Sequence, residues 1–275
     1  ERSVALGQLS ARFPQVAAIA GCHGKTTITS MLARINEAAH KDATIHVGGF
    51  VDFLQGGVRV GHDGTFITEA CEYVESFLTL APTVALINNI DDDHLDYYKD
   101  IDHIVLAFRK FLDHLPENGL FIACTDDPRV AALAAESKHT VKSYGLHSGD
   151  YRAENVRFDE NGFPSFTITK NGDAVGDVSL TVPGLHNVLN ALGAYVVAET
   201  FGIPFAAYAE AMYAFSNTKR RFEYYGERNG VRYFHDYGHH PNEIRATLDA
   251  ASRVPHEHLY CATATRAQKR SSART

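Results

Sequence analysis

The chain has 275 residues, 45% hydrophobic and 21% charged, the balance of a soluble globular protein with room for one large domain or two. A formal net charge of −7 argues against a nucleic-acid backbone as the main partner, and no run approaches the roughly 18 apolar residues that cross a membrane. Cys22, Cys71, Cys124 and Cys261 stand far apart with no CxxC pair, so a reduced cytoplasmic protein is expected and a zinc cluster is not.

Residues 16–20 (VAAIA) form a short apolar run ending in glycine, which predicts a buried strand. Residues 25–39 then set Ile28, Met31, Leu32 and Ile35 on one helical face. Residues 65–68 (TFIT) and 84–87 (VALI) predict short strands, each followed by an acidic segment. Residues 102–115 predict an amphipathic helix, 119–124 (GLFIAC) a buried strand, and 128–135 a further helix. This alternation predicts an α/β fold, a mainly parallel sheet with helices on both faces. Between 151 and 182 the Asn161-Gly162 and Asn171-Gly172 turns, around alternating segments such as 165–169, predict a small antiparallel patch. Helices return at 189–201 and 205–215. A boundary near 216–219 divides a domain at 1–216 from the start of a second, Rossmann-like α/β domain at 217–261. That second part has strands at 222–225 and 231–234, a helix at 242–252 and a strand at 258–261. Residues 262–275, rich in Ala, Thr, Arg, Lys and Ser without an apolar period, predict disorder.

The segment Gly21-Cys22-His23-Gly24-Lys25-Thr26-Thr27 lies between a predicted strand and a predicted helix. Glycines let successive N–H groups point at phosphate oxygens, and the helix adds its positive end. Lys25 then reaches the β- and γ-phosphates of a nucleotide, and the Thr26 hydroxyl ligates Mg²⁺. Ile19 stands where the general phosphate-loop pattern has its first glycine, so a chance match is the competing reading; the strand-loop-helix context decides against it.

Glu69 follows the strand TFIT, and Asp91, Asp92, Asp93, His94 and Asp96 follow VALI, where α/β sheets place their active sites. Taken singly, such clusters are more often solvated loops or caps. Asn187 and Asn190 stand three apart, on one helical face, although an asparagine near a helix start is ordinarily a cap. His235, His239 and His240 precede Pro241 at a predicted helix start; one such turn rarely aims three histidines at one point.

In this order, the phosphate loop, EACEY, NNIDDDHLDYY, GLHNVLN, RRF and DYGHHP resemble the Mur ligase family from about Phe13 to about Tyr260. The DYGHHP wording is most similar to the branch joining L-alanine to UDP-N-acetylmuramate. The resemblance implies ATP and Mg²⁺ as cofactors. The substrate carboxylate is phosphorylated to an acyl phosphate, and an amine then displaces phosphate. It implies Lys25 at the transferring phosphate, Thr26 and Glu69 on one Mg²⁺, and His94 on a second. It further implies Asn187 and Asn190 at the nucleotide, Arg221 at a phosphate, Asp236 at the ribose and His239 facing the acceptor.

Members of the family have a UDP-sugar-binding domain before this region and a complete carboxy-terminal domain after it. Glu1 is preceded by neither that domain nor an initiator Met, and the motif expected after residue 261 is missing. The reading is therefore of a fragment with an aberrant tail, such as a frame shift near Cys261 produces. Such a fragment is expected to bind Mg·ATP weakly and to ligate little or nothing. Two alternatives stand beside it: the family's tripeptide-recycling ligase, and a phosphate-loop switch without ligase activity, for which the N-K-x-D guanine motif is lacking.

Overall fold

The computed structural model describes residues 1–216 and 219–263. In chain order its elements are helix α1 (Arg2–Ser10), strand β1 (Gln15–Ala20), α2 (Lys25–Ala38), β2 (Thr44–Val51), β3 (Gly56–Arg59), β4 (Thr65–Glu69) and β5 (Val84–Ile87). Then come α3 (Ile101–Leu112), β6 (Leu120–Cys124), α4 (Pro128–Ala135), β7 (Thr140–Gly145), β8 (Tyr151–Phe158), β9 (Pro164–Lys170) and β10 (Asp173–Ser179). Helices α5 (Leu185–Thr200) and α6 (Phe205–Tyr213), the hairpin β11 (Glu223–Arg228) and β12 (Val231–His235), and α7 (Pro241–Ser252) complete it.

Ten strands form one sheet in the order β10-β9-β8-β7-β6-β5-β1-β4-β2-β3. Pairing is parallel from β8 through β2, and antiparallel for β2–β3 and for β8–β9–β10. The mainly parallel sheet is therefore as expected. The antiparallel patch continues that sheet rather than standing apart, because β8 pairs in parallel with β7 over Tyr144 and Gly145.

Strand β1 is buried on both faces, the usual condition of a central parallel strand. Successive side chains point to opposite faces. Ala17 and Ile19 join a core with Ile28 and Leu32 of α2, Val188 of α5 and Tyr208 of α6. Ala18 and Ala20 join a second core with Phe108 and Phe111 of α3 and Val130 of α4. Helix α3 begins where the Asp100 carboxylate accepts the His103 N–H, and α4 where Asp127 accepts those of Arg129 and Val130.

Two expectations are corrected. Helix α5 begins at Leu185 rather than 189, so Asn187 and Asn190 lie inside its first turns, after Gly184. Residues 258–261 form no strand; β11 and β12 pair only with each other, which leaves 258–261 without a ladder partner among the described residues. The predicted boundary at 216–219 falls partly on residues outside those described, as does the tail from 264 on.

Candidate functional site

The sheet order places the site. Strand β1 lies between β4 and β5, so the carboxyl ends of those two strands deliver their acidic segments to either side of the loop leaving β1. That loop turns at Gly21 (φ 128) and Gly24 (φ 89), where L side chains are strained. A Cβ at Gly24 would stand 2.5 Å from Asn190 Oδ1 and 2.6 Å from Asn88 Nδ2.

Asparagines hold the loop. The His23 N–H donates to Asn89 Oδ1 (2.8 Å), and Asn89 Nδ2 donates to the His23 carbonyl (3.0 Å). Asn88 Nδ2 donates to the same carbonyl and to Asn190 Oδ1, both at 3.1 Å, while Asn88 Oδ1 accepts the Tyr144 hydroxyl at 2.7 Å. A buried network with every member partnered fixes one loop conformation.

Lys25 points its amine back into this loop, donating to the Gly21 and Cys22 carbonyls and to both oxygens of Glu72, at 3.1 and 2.8 Å. The Glu72 side chain is 1% exposed. Burial by itself pulls the Lys25 amine down and pushes the Glu72 carboxyl up. Each partner's charge reverses that, so Lys25 ends above its ordinary value and Glu72 below. His94 Nε2 lies 3.5 Å from the same carboxylate, which raises the imidazole. On the other side, Thr26 Oγ1 donates to Glu69 Oε2 (3.1 Å) and the Gly48 N–H to Glu69 Oε1 (2.6 Å). Burial still lifts the Glu69 carboxyl above the usual range, against those two donors and Lys25. Val74, Glu75 and His94 all have positive φ (50, 54 and 55), a concentration of strain around this centre.

Groups able to ligate a cation flank Lys25 on two sides: the Thr26–Glu69 pair, and Glu72, Asp93 and His94, whose candidate ligand atoms lie within 4.8 Å of one another. Oxygen-rich sets of this kind suit Mg²⁺.

Beside the loop opens a cleft of about 380 Å³ lined by His23, Gly24, Asn187, Asn190, Arg221 and Asp236, among others. Asn187 Nδ2 donates to the Pro183 carbonyl and Asn190 Nδ2 to Asn187 Oδ1, at 2.7 and 3.3 Å. Asp236 accepts the Phe222 and Gly238 N–H groups, which folds the turn after β12. Arg221 Nη1 stands 3.7 Å from Glu243 Oε1. His186 lines the cleft too, and burial keeps its ring below its ordinary pKa.

Of the residues given a role from the sequence, all but His239 gather around the loop and its cleft; Asp96 and His235, singled out beside them, are exposed and outside it. His239 is 60% exposed, contacts Glu243 at 3.6 Å and does not line the cleft. Four residues were not anticipated: Glu72, Asn88, Asn89 and Glu243. Glu72 is the second acid of EACEY, one helical turn's spacing after Glu69, and Asn88-Asn89 directly follows β5. Glu243 carried no signal beyond its place early in a helix.

Residues 19–198 match the Mur ligase middle domain, and residues 220–275 the Mur ligase glutamate ligase domain. The UDP-N-acetylmuramate–L-alanine ligase of Clostridium acetobutylicum is 46% identical over 260 residues, 94% of this chain and 57% of that protein. The crystal structure of UDP-N-acetylmuramate–alanine ligase from Thermotoga maritima superposes with a TM-score of 0.77 at 28% identity, over 90% of this chain and 56% of that one. The UDP-N-acetylmuramate:L-alanyl-γ-D-glutamyl-meso-diaminopimelate ligase from Neisseria meningitides gives 0.71 at 26% identity, over 79% and 71%. The chain thus spans little more than half the length of the curated relatives it matches, 57% in the first case.

Proposed function

Because this chain belongs to the Mur ligase family, we propose that it carries the ATP-binding half of a cytoplasmic ligase joining L-alanine to the lactyl carboxylate of UDP-N-acetylmuramate. Residues 1–216 serve as the central nucleotide-binding domain and 217–261 as the start of the carboxy-terminal ligase domain. One observation carries the reading. Lys25, the Thr26–Glu69 pair and the Glu72–His94 pair gather at the carboxyl ends of β1, β4 and β5.

The chemistry follows from those groups. A substrate carboxylate oxygen attacks the γ-phosphorus of ATP, the bond to the β-phosphate oxygen breaks, and ADP leaves. The amine nitrogen then attacks the acyl carbon; the bond to phosphate oxygen breaks, one amine proton is lost, and an amide and phosphate remain. Positioning and charge stabilisation dominate such transfers. Lys25 exchanges its loop carbonyls for β/γ-phosphate oxygens while Glu72 keeps the amine charged. Arg221 offers a planar, permanently charged contact to phosphate. Asn187 and Asn190 hold the nucleotide, and Asp236 meets the ribose. Thr26 with Glu69, and His94 with Glu72, would hold Mg²⁺, which when bound neutralises phosphate charge. His239, outside the cleft, has no part in this proposal.

The isolated chain is expected to bind Mg·ATP weakly and to form little or no alanyl product. Titration with fluorescent ATP and GTP analogues tests the site: ATP preference lost in Lys25→Ala is expected, and GTP preference would point to a switch. The likeness to the Neisseria ligase, at 26% identity and a TM-score of 0.71, keeps a second reading in which a tripeptide is the acceptor. Phosphate release by the longer parent protein, with L-alanine against tripeptide, decides between them.

A further inference from the structure

His23 and Asp91, at the wall of the cleft, meet His240 in a second cluster to which the proposed reaction assigns no role. His23 Nε2 lies 3.0 Å from Asp91 Oδ2, and His240 Nδ1 lies 3.4 Å from the same oxygen. The two rings stand 4.9 Å apart, and the three side chains are only 15–19% exposed. They come from three places in the chain: the loop after β1, the segment after β5 and the residue capping α7.

We propose that His23, Asp91 and His240 form a binding site for a divalent transition-metal ion of the zinc class, tying α7 to the phosphate loop. Two imidazoles and one carboxylate are the ligand set of open zinc sites, whereas Mg²⁺ takes oxygen ligands. Metal–nitrogen bonds of about 2.0–2.1 Å in a tetrahedron put neighbouring ligand atoms about 3.3 Å apart, and the two separations here bracket that value. The non-ligating nitrogens are also provided for. His240 Nε2 is 3.2 Å from the Asp92 carbonyl, which keeps its proton there; Nδ1 accepts the Asn242 N–H at 3.3 Å as the cap of α7, a long contact that a bound metal would replace. His23 Nδ1 is 3.3 Å from Glu243 Oε1, out of line for a full hydrogen bond but placed to hold the proton on that nitrogen. Acceptors behind the far nitrogen of each histidine are what metal-bound imidazoles show. Asn242 Nδ2 donates to Asp91 Oδ2 as well, at 2.5 Å, and steadies the carboxylate. Three protein ligands leave a fourth position for water. The inference stands independently of the ligase reading.

The chain, stripped with a chelator and kept in excess Mg²⁺ to fill oxygen sites, is titrated with Co²⁺ and with Zn²⁺. One equivalent is expected, with the visible absorption of tetrahedral Co²⁺, bleached by Zn²⁺. His240→Ala should weaken binding by at least about 100-fold and Glu243→Gln by about 10-fold, as removal of an outer partner does elsewhere. His239→Ala, one residue away but exposed, should change nothing. Asp91→Asn keeps a hydrogen-bonding amide and loses the ligating charge, so it tests the site even if His240→Ala misfolds by circular dichroism. Absence of stoichiometric binding, or binding that survives both His240→Ala and Asp91→Asn, overturns the proposal.

Discussion

The half of the molecule around β1 and the unit formed by β11, β12 and α7 are built on different principles. Around β1 two cores close over both faces of the sheet, and Asn88 and Asn190, which shape the phosphate loop, are buried beside them. In the described residues from 219 on, Ala250 alone is fully buried, and Tyr224, Tyr225, Tyr233 and Phe234 are exposed. The first region holds its geometry through its own packing. The second holds its place through contacts it makes with the first: His240 and Asn242 on Asp91 and Asp92, Glu243 on His23, and Arg253 over Phe158. Preorganisation and docking are therefore separable here, and mutations should separate them.

The largest effect is expected in the first region. On the proposed function Lys25→Ala removes the main charge contact to the nucleotide, and it leaves the buried Glu72 with only His94 beside it. Loss of one partner of a buried pair typically costs about 3–5 kcal/mol. We expect ATP-analogue affinity to fall at least about 100-fold, and thermal unfolding to show a loss of about 3 kcal/mol. If Lys25→Ala melts like the parent, the pair is not the anchor described. Next in size is Gly24→Ala. Its φ of 89 disfavours a side chain, and its Cβ would meet the amides of Asn190 and Asn88. A left-handed backbone alone costs about 1–2 kcal/mol. The expected loss is about 2 kcal/mol with weakened nucleotide binding, while α7 stays docked. Protection of α7 amides in hydrogen exchange checks that last point.

How much of this was legible in the sequence follows the same division. Strands β1, β4, β5 and β6 and helices α3 and α4 were readable because they are buried and their apolar spacing is dense. Strand β2 was not. Gly48 and Gly49 break its alternation, and the space at Gly48 is filled by the Glu69 carboxylate, 2.7 Å from where a Cβ would be, and that at Gly49 by the Thr26 methyl, at 3.2 Å. Local pattern thus hid an element whose irregularity serves the site. Lys25 and Thr26 could be named from the glycine-loop motif, and Glu69 and the run from Asp91 to Asp96 as candidates from their positions after strands, while His94 was singled out from that run only by the family resemblance. Glu72 could not be named, since only the tertiary fold shows that it faces inward to join Lys25 and His94. The segment 258–261 misled because its apolar residues suggested a strand, and a strand needs a neighbour that the local sequence does not specify.

Docking of the second unit should depend on pH in metal-free buffer. Burial lowers His23, but Glu243 and Asp91 beside it raise it further, to a net value above the ordinary one. Burial raises Asp91 and Glu243, and Asn242, His23 and the neighbouring N–H groups bring them below the usual carboxylate range. The His23 contribution is complete below about pH 6.5 and is lost as pH rises through the raised folded value. The two carboxylate contributions are complete above about pH 4.5 and are lost as pH falls through their depressed values. Protection factors of α7 should therefore be higher at about pH 5.5 than at about pH 8.5. Glu243→Gln should flatten that difference, at a cost of about 1 kcal/mol of docking. Equal protection at both values would mean that His23 is not part of the hold.

The smallest expected effect lies at the far end of the same helix. Just past α7, the Arg253 guanidinium carbon sits 4.4 Å from the centroid of Phe158 on β8, and Asp249 orients the group through two of its nitrogens. Such a contact at a part-exposed site is worth about 0.5–1 kcal/mol. Arg253→Ala should loosen only the carboxyl end of α7, visible as faster exchange around residues 249–252, and leave nucleotide affinity and the melting of the main sheet unchanged. Arg253→Lys, which keeps charge but not the planar stack, should fall between the two. If instead the whole of α7 detaches in Arg253→Ala, the polar contacts at its amino end are too weak to hold the unit alone, and docking is shared along the helix rather than centred on His23.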